Sequence, residues 1–300
     1  MAEVRTKFEE QGFAVIRNVL DPVTIEELQR HVQWLASRYP ELRPEHWHHP
    51  LARNDAFWVR IISDDRLLDI AEAFLGPDLA CFTAHYVCKR PRDGQAVLWH
   101  QDGAYWNLDP MSALTVWIAV DKCTVDNGCL RMVPGSHRMP LRAPVLRSDV
   151  PNMLSSATEN EIVQDWIERA GVVDVELEPG DVEIHHPNIL HSSNANTSTT
   201  RRCGLDLGYI ATSTSISNEG LYLDPILCRG ATVPGINRYR KYPEYNDEES
   251  IAFQGSDSWN DLIKQFNDNP SLVSGSAEEP LELTKRMIRR LADGTVKRRD

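Results

Sequence analysis

No stretch of this 300-residue chain holds the roughly 18 consecutive apolar residues that a membrane-spanning helix needs, so no membrane partner is expected. The opening, MAEVRTKFEEQGF, is charged where a secretory signal requires an apolar centre, and a cytoplasmic location is the expectation. Positive charge is scarce: 32 Lys and Arg stand against 44 Asp and Glu, a formal net charge of −12. That balance argues against a nucleic-acid partner, which usually demands a basic stripe. It leaves room for an anionic small ligand, because one buried arginine can serve it. Cysteine is sparse too. The six at 81, 88, 123, 129, 203 and 228 include no C-x-x-C pair and are too few for a disulfide scaffold, so free thiols are expected. Internal repeats are missing, and no linker divides the chain, so residues 1–300 read as a single domain. Oligomeric state has no signature here.

What is present begins with helices. FEEQGFAVIRNVL reads as the end of a short helix followed by a strand, FAVIRNV. Asp21 suits an N-cap and Pro22 the first helical position, and Ile25, Leu28, Val32 and Leu35 continue as an apolar stripe. A second helix is expected from about Asp65 to Leu75, ended by Gly76-Pro77. Then the texture changes. LACFTAHYVCK, AVLWHQD, ALTVWIAVD, CLRMV, VVDVEL, DVEIHH and CGLDLGYIAT are short β-branched or aromatic runs, several separated by turn dipeptides. With the N-terminal strand they make roughly eight, the number of a small double-sheet jelly roll. The fold class is therefore mainly β with flanking α-helices. An insertion at 137–170 ends in a helix whose Thr158 and Glu161 suggest a capping box. Residues 213–260 are irregular, and a helical pattern starts at Leu281. The insertion and the 213–260 segment are candidate lids.

The chemistry concentrates in VLWHQDGAYW. On a continuous strand His100 and Asp102 would share a face, and imidazole with carboxylate suits a divalent first-row metal. A third ligand is available among His185, His186 and His191. Two histidines and a carboxylate form a facial triad with open positions, as on non-haem iron(II), although the same ligand types also hold catalytic zinc. Arg202, eleven residues past His191, tips the balance. A guanidinium is a natural fork for a carboxylate, and one near an open iron site suggests a co-substrate such as 2-oxoglutarate. HWHHP at 46–50 reads as a lid or surface loop rather than a second metal site.

At this point the sequence resembles the phytanoyl-CoA dioxygenase family of Fe(II)/2-oxoglutarate-dependent oxygenases. FEEQGFAVIRNVL, WHQDGAYW, VWIAVDKCTVDNGCLRMVPGSH and GDVEIHHPNILHSSNANTSTTRR carry the resemblance, in the family's order, over about 200 residues. It implies a double-stranded β-helix, cupin-like, with helices packed outside. It implies His100, Asp102 and His191 as metal ligands, with His186 a structural neighbour and His185 facing away. Arg202 would hold the distal carboxylate of 2-oxoglutarate, with Arg201 as fallback, Ser193 supporting the same carboxylate and Trp117 packing against the co-substrate. The implied cofactors are Fe(II), 2-oxoglutarate and O2; the implied outcome is hydroxylation or a related oxidation, releasing succinate and CO2. Tyr105, Trp106 and His85 are the candidate substrate contacts. A small organic metabolite is the expected substrate and an acyl-CoA the alternative. The rival readings are a metal-dependent hydrolase and a non-catalytic jelly-roll binding protein.

Overall fold

The computed structural model describes residues 1–47, 55–217, 224–242 and 251. Residues 48–50 of HWHHP, parts of the 213–260 segment and the helical pattern from residue 281 lie outside the described residues. Helix α1 (Ala2–Gln11) closes on Gly12, whose φ of 85° gives the left-handed stop that a helix C-terminus favours. Strand β1 (Phe13–Ile16) follows, shorter than the run FAVIRNV. Asp21 caps helix α2 (Pro22–Arg38), its carboxylate accepting from the Thr24 N–H at 2.9 Å. Helix α3 (Ala56–Ile62) was not expected. Its sequence AFWVRII buries every residue but Arg60, so no polar face marks a helical period. Helix α4 (Asp65–Leu75) has the bounds its apolar stripe suggested.

The remaining elements build two antiparallel sheets. The larger one orders β1, β10 (Val182–His185), β5 (Ala113–Ala119), β12 (Arg202–Ala211), β2 (Leu79–Lys89) and β14 (Ile226–Arg229). The smaller orders β3 (Val97–His100), β11 (His191–Ser193), β6 (Leu130–Met132) and β9 (Val173–Val175). The larger sheet has two dissimilar faces. Val116, Ile118, Ile184, Leu205 and Leu207 point outward and join Leu28, Val32, Trp58 and Leu67 of the helices in one buried cluster. On the inner face Phe13, Trp117 and Ala119 meet Leu130, Met132 and Val175 of the smaller sheet. Two sheets packed through alternate residues, with helices outside, make the jelly roll that the strand count suggested.

A separate pair joins β4 (Leu108–Asp109) to β13 (Ser215–Ile216), and the insertion holds a two-stranded hairpin, β7 (Val145–Leu146) with β8 (Ser156–Ala157), and helix α5 (Asn160–Ala170). The capping box expected there does not form. Glu159 occupies the cap and its side chain makes no cap bond. The Thr158 N–H instead donates to the Trp99 carbonyl at 2.7 Å, which fastens the insertion to β3. No helix among the described residues is long and apolar enough to cross a membrane.

Candidate active site

Strands β3 and β11 pair antiparallel with His191 opposite His100. Directly opposed residues on one face hold their Cβ atoms close together, and here the two imidazole centroids are 4.0 Å apart. Strand β3 stops at His100. Asp102 opens a single 3₁₀ turn, Asp102–Tyr105, which Gly103 pins by donating its N–H to the Pro187 carbonyl at 2.9 Å. The continuous-strand argument for Asp102 is thereby corrected: a turn, not strand parity, brings its carboxylate back to His100. Asp102 Oδ1 lies 3.3 Å from His100 Nε2 and 3.5 Å from His191 Nε2. One ligand atom from each of the three residues fits within 4.8 Å of the others. Among the described residues this is the one His/Cys/Asp/Glu group with spacing for a metal.

The hydrogen bonds set the right nitrogens free. His100 Nδ1 faces the Leu98 carbonyl at 2.7 Å and His191 Nδ1 faces the Ile189 carbonyl at 3.2 Å. A carbonyl only accepts, so each Nδ1 carries the proton and each Nε2 offers a lone pair. Burial, reinforced by His100, holds His191 well below the ordinary histidine value, so it stays neutral. Burial opposes a charge on Asp102, but the carboxyl is held well below its usual range, and the bond from His185 Nε2 is the cause that persists with His100 and His191 neutral. Two neutral imidazoles and one carboxylate are the donor set that a ferrous ion accepts.

The expectation that His185 faces away is overturned. Its ring is fully buried behind the triad, with Nε2 at 3.0 Å from Asp102 Oδ2 and Nδ1 at 2.8 Å from Glu183 Oε2. His186 turns elsewhere and accepts from the Asn188 N–H through Nδ1 at 3.0 Å.

Arg202, the first residue of β12, is fully buried, and its guanidinium carbon lies 4.6 Å from the centroid of the Trp117 ring. One nitrogen, Nη1, donates to the Val87 carbonyl at 3.3 Å, while Nε and Nη2 have no partner among the described residues. Arg201 points the other way and forks onto Asp121 with bonds of 2.7 and 2.9 Å. Ser193 Oγ accepts from the buried Lys89 Nζ at 2.7 Å, which leaves the serine O–H free to donate. Burial, then the Arg202 charge, pushes Lys89 well below its ordinary value.

A cavity of about 180 Å³ opens beside the triad. By this measure one water needs roughly 10–15 Å³, so the space is that of a small organic molecule. His100, Asp102, His191, Ser193, Trp117, Tyr105, Trp106 and His85 all line it. Arg202 does not; it lies against Trp117, which does. Tyr105 sets its ring 6.0 Å from His100 and holds Ser156 of the insertion at 2.8 Å. Trp106 packs edge-on against Phe82, and burial brings His85 down to about 4, hence neutral. Met153 and Leu154 complete the wall. Met153 donates its N–H to the Ala96 carbonyl at 3.0 Å, so this part of the insertion is hydrogen-bonded to the sheet.

Glu45, Asp206, Lys89, Glu183 and Thr115 escaped the sequence reading. A signal existed for some of them. Glu183 and His185 alternate with apolar residues in β10, and Arg202, Gly204 and Asp206 alternate in β12, so polar groups recur on one face of buried strands.

The family model described as Phytanoyl-CoA dioxygenase (PhyH) matches residues 8–204. Phytanoyl-CoA dioxygenase 1 of Oryza sativa subsp. japonica is 29% identical over 133 residues, 44% of this chain and 45% of that protein. L-proline trans-4-hydroxylase of Streptomyces griseoviridis is 29% identical over 169 residues, 52% of this chain and 63% of that protein. The chain thus spans about half the length of these curated relatives. Among solved structures, the apo form of the non-heme monooxygenase ThoJ superposes with a TM-score of 0.68 at 21% identity, covering 96% of this chain and 99% of its own. At that identity the likeness establishes the fold.

Proposed function

The chain belongs to the phytanoyl-CoA dioxygenase family, and we propose that it is an Fe(II)/2-oxoglutarate-dependent dioxygenase that hydroxylates a C–H bond of a small organic metabolite. The observation that carries this reading is one arrangement. Two outward Nε2 lone pairs and Asp102 Oδ1 lie within 4.8 Å of one another, and a buried guanidinium against Trp117 keeps two nitrogens unpartnered among the described residues. Burying a guanidinium with no counter-charge on it costs several kcal/mol, about what a salt-bridged anion would offset, so Arg202 fits a carboxylate ligand.

When bound, ferrous iron with 2-oxoglutarate supplies the oxidising power: O2 is consumed, 2-oxoglutarate becomes succinate and CO2, and one oxygen atom enters the substrate C–H bond. The chain's own residues do the rest. His100, Asp102 and His191 hold the metal and leave coordination positions open. Arg202 would receive the distal carboxylate, with Ser193 donating its hydroxyl to the same group and Trp117 packing against the co-substrate. Tyr105, Trp106, Met153 and Leu154 keep water away and hold the substrate carbon in place, which is the protein's share of such a reaction.

The cavity also favours one substrate class over another. Glu45 and Asp206 add carboxyl groups to its lining, and no Lys or Arg lines it among the described residues. A phosphate-rich acyl-CoA finds no counter-charge there, so a free metabolite is preferred; the proline hydroxylase relative is consistent with this. A zinc hydrolase would need the triad but would give no reason for a buried Arg202 with two nitrogens unpartnered among the described residues.

The test is succinate release across a panel of free amino acids, cyclic amines and polyketide-like alcohols, each compared with an acyl-CoA. Activity should need added Fe(II) and O2, vanish with a chelator and not return with Zn(II). Hydrolysis of an ester or amide with Zn(II) in place of iron, without succinate, would defeat the proposal.

A further inference from the structure

We propose that His185, itself oriented by Glu183, is the positioning residue that commits Asp102 to bind metal through a single oxygen. The proposal rests on the iron-site reading above, but it concerns residues that the triad alone does not explain.

The two oxygens of Asp102 have separate surroundings. Oδ2 takes a bond from Thr115 Oγ1 at 3.1 Å and from His185 Nε2 at 3.0 Å. Oδ1 has neither contact, and it is the atom beside the two ligand Nε2 atoms. A carboxylate turns broadly and with two-fold preference about its last torsion. Left alone, Asp102 could offer either oxygen or both. Two donors on Oδ2 remove that freedom and leave Oδ1 facing the metal position.

The sheet register explains how the donors arrive together. Strands β5 and β10 are neighbours, with Thr115 opposite His185 and Trp117 opposite Glu183. Glu183 and His185 are two residues apart, hence on the same face. Glu183 in turn holds His185 Nδ1 at 2.8 Å, which fixes the rotation of the ring and keeps Nε2–H aimed at Asp102.

Stability does not account for these residues. Thr115, Glu183 and His185 are all fully buried, and Glu183 Oε1 has no partner among the described residues. Replacing such a buried polar array with apolar side chains of similar volume is often neutral or stabilising. What the array does supply is ligand orientation, for which outer partners of metal ligands typically matter 10–100-fold in metal affinity.

The experiment is anaerobic titration of the metal-free protein with Co(II) alone, read from its visible absorption, together with the thermal midpoint of each metal-free variant. His185→Phe should weaken Co(II) binding by roughly 10–100-fold. Glu183→Leu, a smaller change of shape, should weaken it in the same direction. His185→Gln and Glu183→Gln keep hydrogen-bonding groups in place and should retain most of the affinity. A purely structural role would move the thermal midpoint and leave Co(II) affinity alone. Folded His185→Phe protein that binds Co(II) as tightly as wild type would overturn the proposal. If that variant does not fold, Glu183→Leu decides by the same criterion. Wild-type protein that takes up no Co(II) would sink the reading of the site itself, a different result from a binding wild type with unaffected variants.

Discussion

Adjacent arginines with opposite fates give the sharpest prediction at the scale of the residue. Arg201 spends its fork on Asp121, whereas Arg202 is buried with two nitrogens unpartnered among the described residues. Arg202→Ala should raise the 2-oxoglutarate KM at least ~30-fold, the equivalent of the ~2 kcal/mol lower bound for losing one side of a buried charge pair. Arg201→Ala should leave it near the wild-type value. Succinate release against 2-oxoglutarate concentration separates the two; a larger effect at Arg201 would move the anchor. The H-x-D pair that lies beside His191 was legible as a linear pattern, and the arginine offset on which the proposed anchor rests is a pattern of the same kind. His185 was misread because facing depends on parity, and a shift of one residue sends a side chain to the opposite face. Alternation puts Glu183 and His185 on one face of the strand, but nothing local in EIHH says that this is the inner face.

At the scale of the element, β12 shows how one strand makes room for its own function. Arg202, Gly204, Asp206 and Gly208 alternate along its inner face. A Cβ on Gly204 would sit 1.7 Å from Trp117 Cζ2, so the bare backbone is what lets the indole lie beneath Arg202. Gly204→Ala should cost about 1–3 kcal/mol, as overpacking does, and should weaken 2-oxoglutarate binding by displacing Trp117. Denaturant unfolding beside a co-substrate titration checks both. A second element-level feature is the entry to β10. Burial would raise the Asp181 carboxyl, but bonds from Arg17 at 2.6 Å and from the N–H groups of Asn18 and Glu178 at 2.9 Å hold it below its ordinary 3.8. A carboxyl lowered in the folded state contributes stability that is present above the unfolded value and is lost as pH falls. Asp181→Asn should therefore destabilise the protein at pH 7 and flatten its loss of stability below about pH 4; parallel unfolding curves in wild type and variant would refute this. Periodic elements such as α2 and α4 were readable from their stripes and caps. Helix α3 was not, because a helix buried on nearly every side has no polar face to betray its period.

For the whole molecule, the jelly-roll class followed from short strands and turn signals, while the strand order did not. Strand β1 lies beside β10, some 170 residues later, and β3 meets β11 across about 90 residues. Such pairings depend on which buried faces match, a property of the assembled sheets and not of any window of sequence. That long-range register is what brings His100 against His191 and Thr115 against His185. Helices cover the outer face of the larger sheet, so its inner face is left to carry the polar groups. If this assembled face binds Fe(II) and 2-oxoglutarate together, anaerobic titration of the metal-free protein with both should give a weak visible charge-transfer band that needs iron and 2-oxoglutarate at once and is absent in Asp102→Ala; no band in the wild type, or an undiminished one in that variant, would refute joint binding.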